Sequence, residues 1–142
     1  MYCKALMLLI WGLSLTESEA LAQKPIYCPP SRPHPIGYID QMPKYKDGGM
    51  EGMLKFVRQN VRQPAALPKD QSRPSGRVFV YFIIDKVGKV QNPCIRQSLE
   101  EHCDAEALRV VRLLGDFLPA QHAGHPVDME FMVPVTFTGK QP

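Results

Sequence analysis

The stretch "GRVFVYFIIDKVGKV", Gly76–Val90, decides how the rest of this chain of 142 residues folds. Val78, Val80, Phe82 and Ile84 alternate with Phe79, Tyr81 and Ile83, so one strand is apolar on both faces. Such a strand belongs in the middle of a sheet. "DKVGK" (85–89) supplies a turn, with Gly88 at a position that needs positive φ. A second strand starts near Lys89 and contains Pro93, which confines it to a sheet edge or marks a bulge.

A third strand, "VDMEFMVPVTF", runs over 127–137. Val127, Met129, Phe131, Val133, Val135 and Phe137 form one face, and Asp128, Glu130, Met132, Pro134 and Thr136 the other. Pro134 makes this an edge strand too. Before the central strand, Met50, Met53, Leu54, Val57 and Val61 recur at helical spacing until Pro64 stops the helix. After the hairpin, "SLEEHCDAEALRVVRLLGD" (98–116) reads as a second helix. Ala107, Leu108, Val111 and Leu114 form its buried stripe, and Ser98 or Asp104 its cap. "FLPAQHAGHP" (117–126) reads as a loop. The predicted fold is α+β: a three-stranded sheet of order 2-1-3 with two helices packed on one face.

Alternate residues of a strand aim their backbone groups to alternate lateral sides. Pro134 has no N–H, so its side of the last strand is the unpaired one. Asp128, Glu130, Met132 and Thr136 share that side and leave a row of free donors and acceptors. Such an edge can accept an extended peptide as an added strand. Equally, Pro134, Asp128 and Glu130 are residues that protect an edge from unwanted pairing. Exposed edges also permit a strand-exchanged homodimer.

Residues 1–22 read as a cleavable secretory signal: Lys4, an apolar core of 11 residues from Ala5 to Leu15, and small Ala20 and Ala22 before Gln23. The core is too short to span roughly 30 Å of hydrocarbon. Residues 23–43 hold six prolines and read as a short stiff arm, leaving 44–139 as the domain. The expected location is the periplasm, or an anchored position at the inner membrane if the signal is retained. Without the signal, Cys28, Cys94 and Cys103 remain, an odd number. Cys94 and Cys103 are close enough in sequence to close a disulfide in an oxidising compartment; the alternative is two free thiols. The net charge of +3 is too weak and too scattered to mark a nucleic-acid binder. "HCD" (102–104) puts an imidazole beside a thiol, but neighbours at a helix start point apart. His122 and His125 with Cys103 meet no established metal-ligand spacing. No catalytic, cofactor or metal site is predicted.

Taken in order, several weak motifs resemble one family. They are Met42-Pro43 with Gly48-Gly49, Gly76 with Val78 and Val80, Asp85 and Gly88, "CDAEALRVV" (103–111), Phe117 with Pro119, Gly124 with Pro126-Val127, and "VPVTF" (133–137). Over roughly residues 42–138 the chain resembles the C-terminal domain of TonB-type energy transducers, in the form found in Bacteroidetes-like bacteria. The resemblance implies a binding module in membrane transport, not an enzyme, with no direct small-molecule substrate. It implies a partner: the TonB box, an extended segment of an outer-membrane receptor that adds beside the last strand, here Asp128 to Thr136. Transducers of this family also carry an uncleaved membrane helix, a long Pro-rich spacer, and a tryptophan where Phe117 stands. These departures leave a second expectation open: an exported adaptor or structural domain with the same fold and another protein partner.

Overall fold

The computed structural model of the protein describes residues 25–29, 38–63 and 74–139. The predicted signal segment lies outside them. The elements are β1 (Lys44–Tyr45), α1 (Gly49–Asn60), β2 (Ser75–Ile84), β3 (Val90–Gln97), α2 (Glu101–Arg112), β4 (Phe117–Leu118), β5 (Ala120–His122), β6 (His125–Val127) and β7 (Met129–Thr138).

The α+β class follows from β2, which is central in a three-stranded antiparallel sheet of order β3-β2-β7. Val78, Val80, Phe82 and Ile84 are wholly buried. They meet Val133, Val135 and Phe137 of β7, Met53 and Val57 of α1, and Cys103, Ala107, Leu108, Val110 and Val111 of α2 in one core. Both helices therefore cover the same face of the sheet. The opposite face of β2, carrying Phe79, Tyr81 and Ile83, is only half-buried.

Several sequence expectations need correction. "FLPAQHAGHP" is not a plain loop: β4 pairs with β1, and β5 and β6 form a hairpin. The hairpin turns at Ala123 (φ 50°) and Gly124 (φ 74°), the doubly positive geometry that suits tight hairpins. The last strand begins at Met129, because the chain breaks at Asp128 between β6 and β7. Met50 is not on the buried face of α1; it is 55% exposed. Finally, Cys94 does not pair with Cys103. It forms a disulfide with Cys28, and Cys103 is a free, buried thiol.

Register explains the last point. Cys94 stands opposite Tyr81, whereas the next residue, Ile95, stands opposite Val80. Cys94 thus shares the face of Tyr81, away from the helices, while Cys103 lies in the core on the helix side. The sheet separates the two thiols. Two irregularities in the β2–β3 ladder, one beside Asn92 (φ 48°), set this phase.

The disulfide fixes the N-terminal arm. Tyr27 forms a parallel bridge with Ile95. Ile95 N–H donates to the carbonyl of Ile26 at 2.7 Å, and Cys28 N–H donates to the carbonyl of Ile95 at 2.9 Å. The Tyr27 hydroxyl donates to the Asp104 carboxylate at 3.2 Å. The arm's described residues therefore pair with the outer edge of β3 at Ile95.

Candidate functional site

The other edge of the sheet is β7. β2 and β7 pair without interruption over ten positions, from Ser75↔Thr138 to Ile84↔Met129, with Pro134 opposite Phe79. Antiparallel pairs alternate between those that exchange two hydrogen bonds and those that exchange none. Proline cannot donate, so Phe79–Pro134 is a pair without exchange. The unbroken alternation then assigns Met129, Phe131, Val133 and Val135 to β2. Glu130, Met132, Pro134 and Thr136 turn their backbone groups outward. Among the described residues no strand pairs with this side of β7.

Side chains follow a second alternation. Val133, Val135 and Phe137 are buried, Phe131 and Pro134 are half-buried, and Glu130, Met132 and Thr136 are exposed. Four of the five residues predicted to mark the edge are thus placed together on β7. Asp128 is not. It sits in the break before the strand, where its carboxylate accepts from the Lys86 N–H at 3.0 Å and ties β7 to the β2–β3 turn. Glu130 accepts a hydrogen bond from the Tyr81 hydroxyl on the outer face. Burial and this carboxylate push the Tyr81 phenol up to about 12.

A cleft of about 300 Å³ opens beside the N-terminal half of β7. Its lining includes Met42, Lys44, Met50, Met53, Phe117 and Phe131, so it lies between α1, the β1–β4 pair and the helix-side face of the edge strand. Phe131 stacks obliquely on Phe82, with ring centroids 5.7 Å apart, and on Phe117, at 6.2 Å. Met42 and Met50 are more than half exposed and form its accessible wall. Sequence reasoning missed this cleft, because it placed Met50 on one helix face with Met53 and Val57 and read 117–126 as a loop.

The remaining chemistry-bearing residues are held apart. His102 is exposed while Cys103 is buried. Burial, with the charges of Glu100 and Asp104, pushes the Cys103 thiol up to about 11, so it stays protonated at neutral pH. His122 and His125 face each other across the hairpin. His122 Nδ1 contacts the carbonyl of Tyr38. Among the described residues no group of three His, Cys, Asp or Glu side chains is placed to hold a metal ion. Asp104 is not the N-cap of α2, a position held by Glu100. It acts from inside the first turn, accepting from Ser98 Oγ at 2.6 Å and Leu99 N–H at 3.1 Å.

No curated protein and no solved structure is significantly similar to the chain. A family model does match. It is described as the Gram-negative bacterial TonB protein C-terminal, and it covers residues 69–138, from just before β2 through the end of β7. The match begins after α1, so the motifs at 42–49 stand outside it, while the central strand, α2 and the β7 edge lie within. Residues 69–138 of this chain match the family of the Gram-negative bacterial TonB protein C-terminal.

Proposed function

We propose that the chain is a periplasmic peptide-binding domain of TonB-dependent transport. It captures an extended segment of an outer-membrane receptor, the TonB box, as an added strand along β7. One observation carries this reading: among the described residues no strand pairs with the outer side of β7, where Met132, Pro134 and Thr136 turn their backbone groups outward. A guest strand satisfies those groups as a sheet neighbour does, and the side-chain alternation of the guest supplies selectivity.

Three features support it. The family match spans the whole of β7. The other edge, on β3, is engaged by the arm at Ile95, whereas among the described residues nothing pairs with the outer side of β7. A disulfide between Cys28 and Cys94 belongs to an oxidising compartment, in keeping with export by the predicted signal at residues 1–22. Among the described residues no helix is long and apolar enough to cross a membrane.

Calorimetry with synthetic TonB-box peptides tests the reading. Binding is expected, with a negative heat-capacity change from apolar burial. No detectable binding up to millimolar peptide sinks it, and favours an adaptor or structural domain whose β7 edge is merely protected by Pro134 and Glu130.

A further inference from the structure

We propose that the cleft between α1 and β7 is an anchor pocket for one large apolar side chain, leucine, methionine or phenylalanine, of an extended peptide paired along β7. This rests on the strand-addition reading and specifies which side chain the guest must carry.

Phe131 joins the two features. It is a residue of the edge strand, and it is a wall of the cleft. Its side chain points to the helix side, with Val133 and Val135. A guest strand lies about 4.8 Å from β7. A guest residue opposite Phe131 and facing the same side places its Cβ roughly 5 Å from that of Phe131. That position overlooks the cleft, so the backbone row and the pocket are read by one continuous chain. Guest residues one step away face the opposite side of the sheet, towards Met132 and Tyr81, and miss it.

The lining fixes the chemistry. Met42, Met50, Met53, Phe117 and Phe131 are apolar, and Lys44 is the lone charged residue of the wall. A volume of about 300 Å³ is at the bottom of the range for small-molecule sites, and suits a side chain more than a free metabolite. Thioethers are flexible and polarisable, so three methionines accommodate branched, linear or aromatic guests alike. Met42 at 58% and Met50 at 55% exposure leave apolar surface that such a guest removes from water.

The test uses capped nine-residue threonine–serine peptides with leucine, phenylalanine or alanine at the centre, titrated into protein labelled at methionine methyls and backbone amides. The leucine and phenylalanine peptides are expected to bind at least about tenfold tighter than the alanine peptide. They are expected to shift the Met50 and Met53 methyls together with the Glu130, Met132 and Thr136 amides. Met50→Ser, at an exposed position, narrows the leucine-to-alanine ratio. If all three peptides shift the edge amides equally and the Met50 and Met53 methyls stay still, the anchor pocket is wrong and strand addition survives. If the methyls shift and the edge amides do not, the pocket takes apolar groups independently of the edge, and the proposal fails as stated. If no peptide binds at millimolar concentration, strand addition fails and the anchor falls with it.

Discussion

Asp104 has no exposed surface, yet it carries a carboxylate. It is tolerated there because Ser98 Oγ, Leu99 N–H and Tyr27 OH all donate to it. It therefore joins three parts of the chain: the start of α2, the end of β3 and the N-terminal arm. Removing the carboxylate leaves the Leu99 N–H without its partner in a half-buried place. Asp104→Ala is expected to lower stability by about 2–3 kcal/mol, read from urea denaturation midpoints. A loss below about 0.5 kcal/mol contradicts this account. Tyr81 makes a second residue-scale case. Its phenol has a folded-state value raised from 10.0 to about 12. A raised value means that the folded state holds its proton more tightly than the unfolded chain does. The resulting stabilisation is fully present below about pH 10 and is lost as pH rises from 10 towards 12. Tyr81→Phe removes that component, so the decline of stability over this window should be shallower in the variant than in the parent. Parallel declines measured by chemical denaturation would show that Tyr81 does not contribute.

At the scale of elements, β7 illustrates why a strand with a proline can be the most regular in the sheet. Pro134 occupies a position where no N–H is asked for, and its φ and missing donor disturb no bond to β2. Met132→Pro places a second proline at an equivalent outward position. The fold should survive, while binding of a strand-adding peptide weakens by up to about tenfold, the worth of one net hydrogen bond. Calorimetry reads the binding and circular dichroism the fold; unfolding of the variant would mean that the Met132 N–H is paired within the domain. Period-2 alternation in 78–84 and 129–137 makes β2 and β7 legible in the sequence, and helical spacing does the same for both helices. β1, β4, β5 and β6 were not legible, because elements of two or three residues carry no period. They exist through tertiary contacts: the β2–β3 turn docks on β4, where Phe117 N–H donates to the Gly88 carbonyl at 2.9 Å. Gly88 is glycine for two reasons, its φ of 85° and a Cβ that would fall 1.9 Å from the Phe117 carbonyl oxygen. Only the first was visible in the sequence. The Cys28–Cys94 pairing was hidden for a related reason. It depends on which face of the sheet Cys94 occupies, and the bulge near Asn92 resets that face after Lys89.

The sheet has two unlike edges: the arm pairs with β3 at Ile95, and among the described residues no strand pairs with the outer side of β7. The disulfide joins residues 66 apart, so in the chain-entropy view it removes roughly 4 kcal/mol of unfolded-state freedom. Reduction should therefore lower stability by about 2–4 kcal/mol, and it should do so unevenly across the fold. The Ile95 N–H donates to Ile26 in the arm, whereas the inward amides of β7 bond to the central strand. In the reduced protein, two backbone bonds and the contact from Tyr27 to Asp104 hold residues 25–29 of the arm against β3, a pairing too small to stand alone in water. The Ile95 amide should then exchange with solvent far faster than in the oxidised protein, while the Val133 and Val135 amides slow or hasten only with global stability. Hydrogen exchange read residue by residue in the two redox states decides this. Equal acceleration at Ile95 and Val133 would mean that the arm leaves only when the whole domain unfolds. Selective acceleration at Ile95 would show that the disulfide holds residues 25–29 against β3 while the rest of the sheet stays folded.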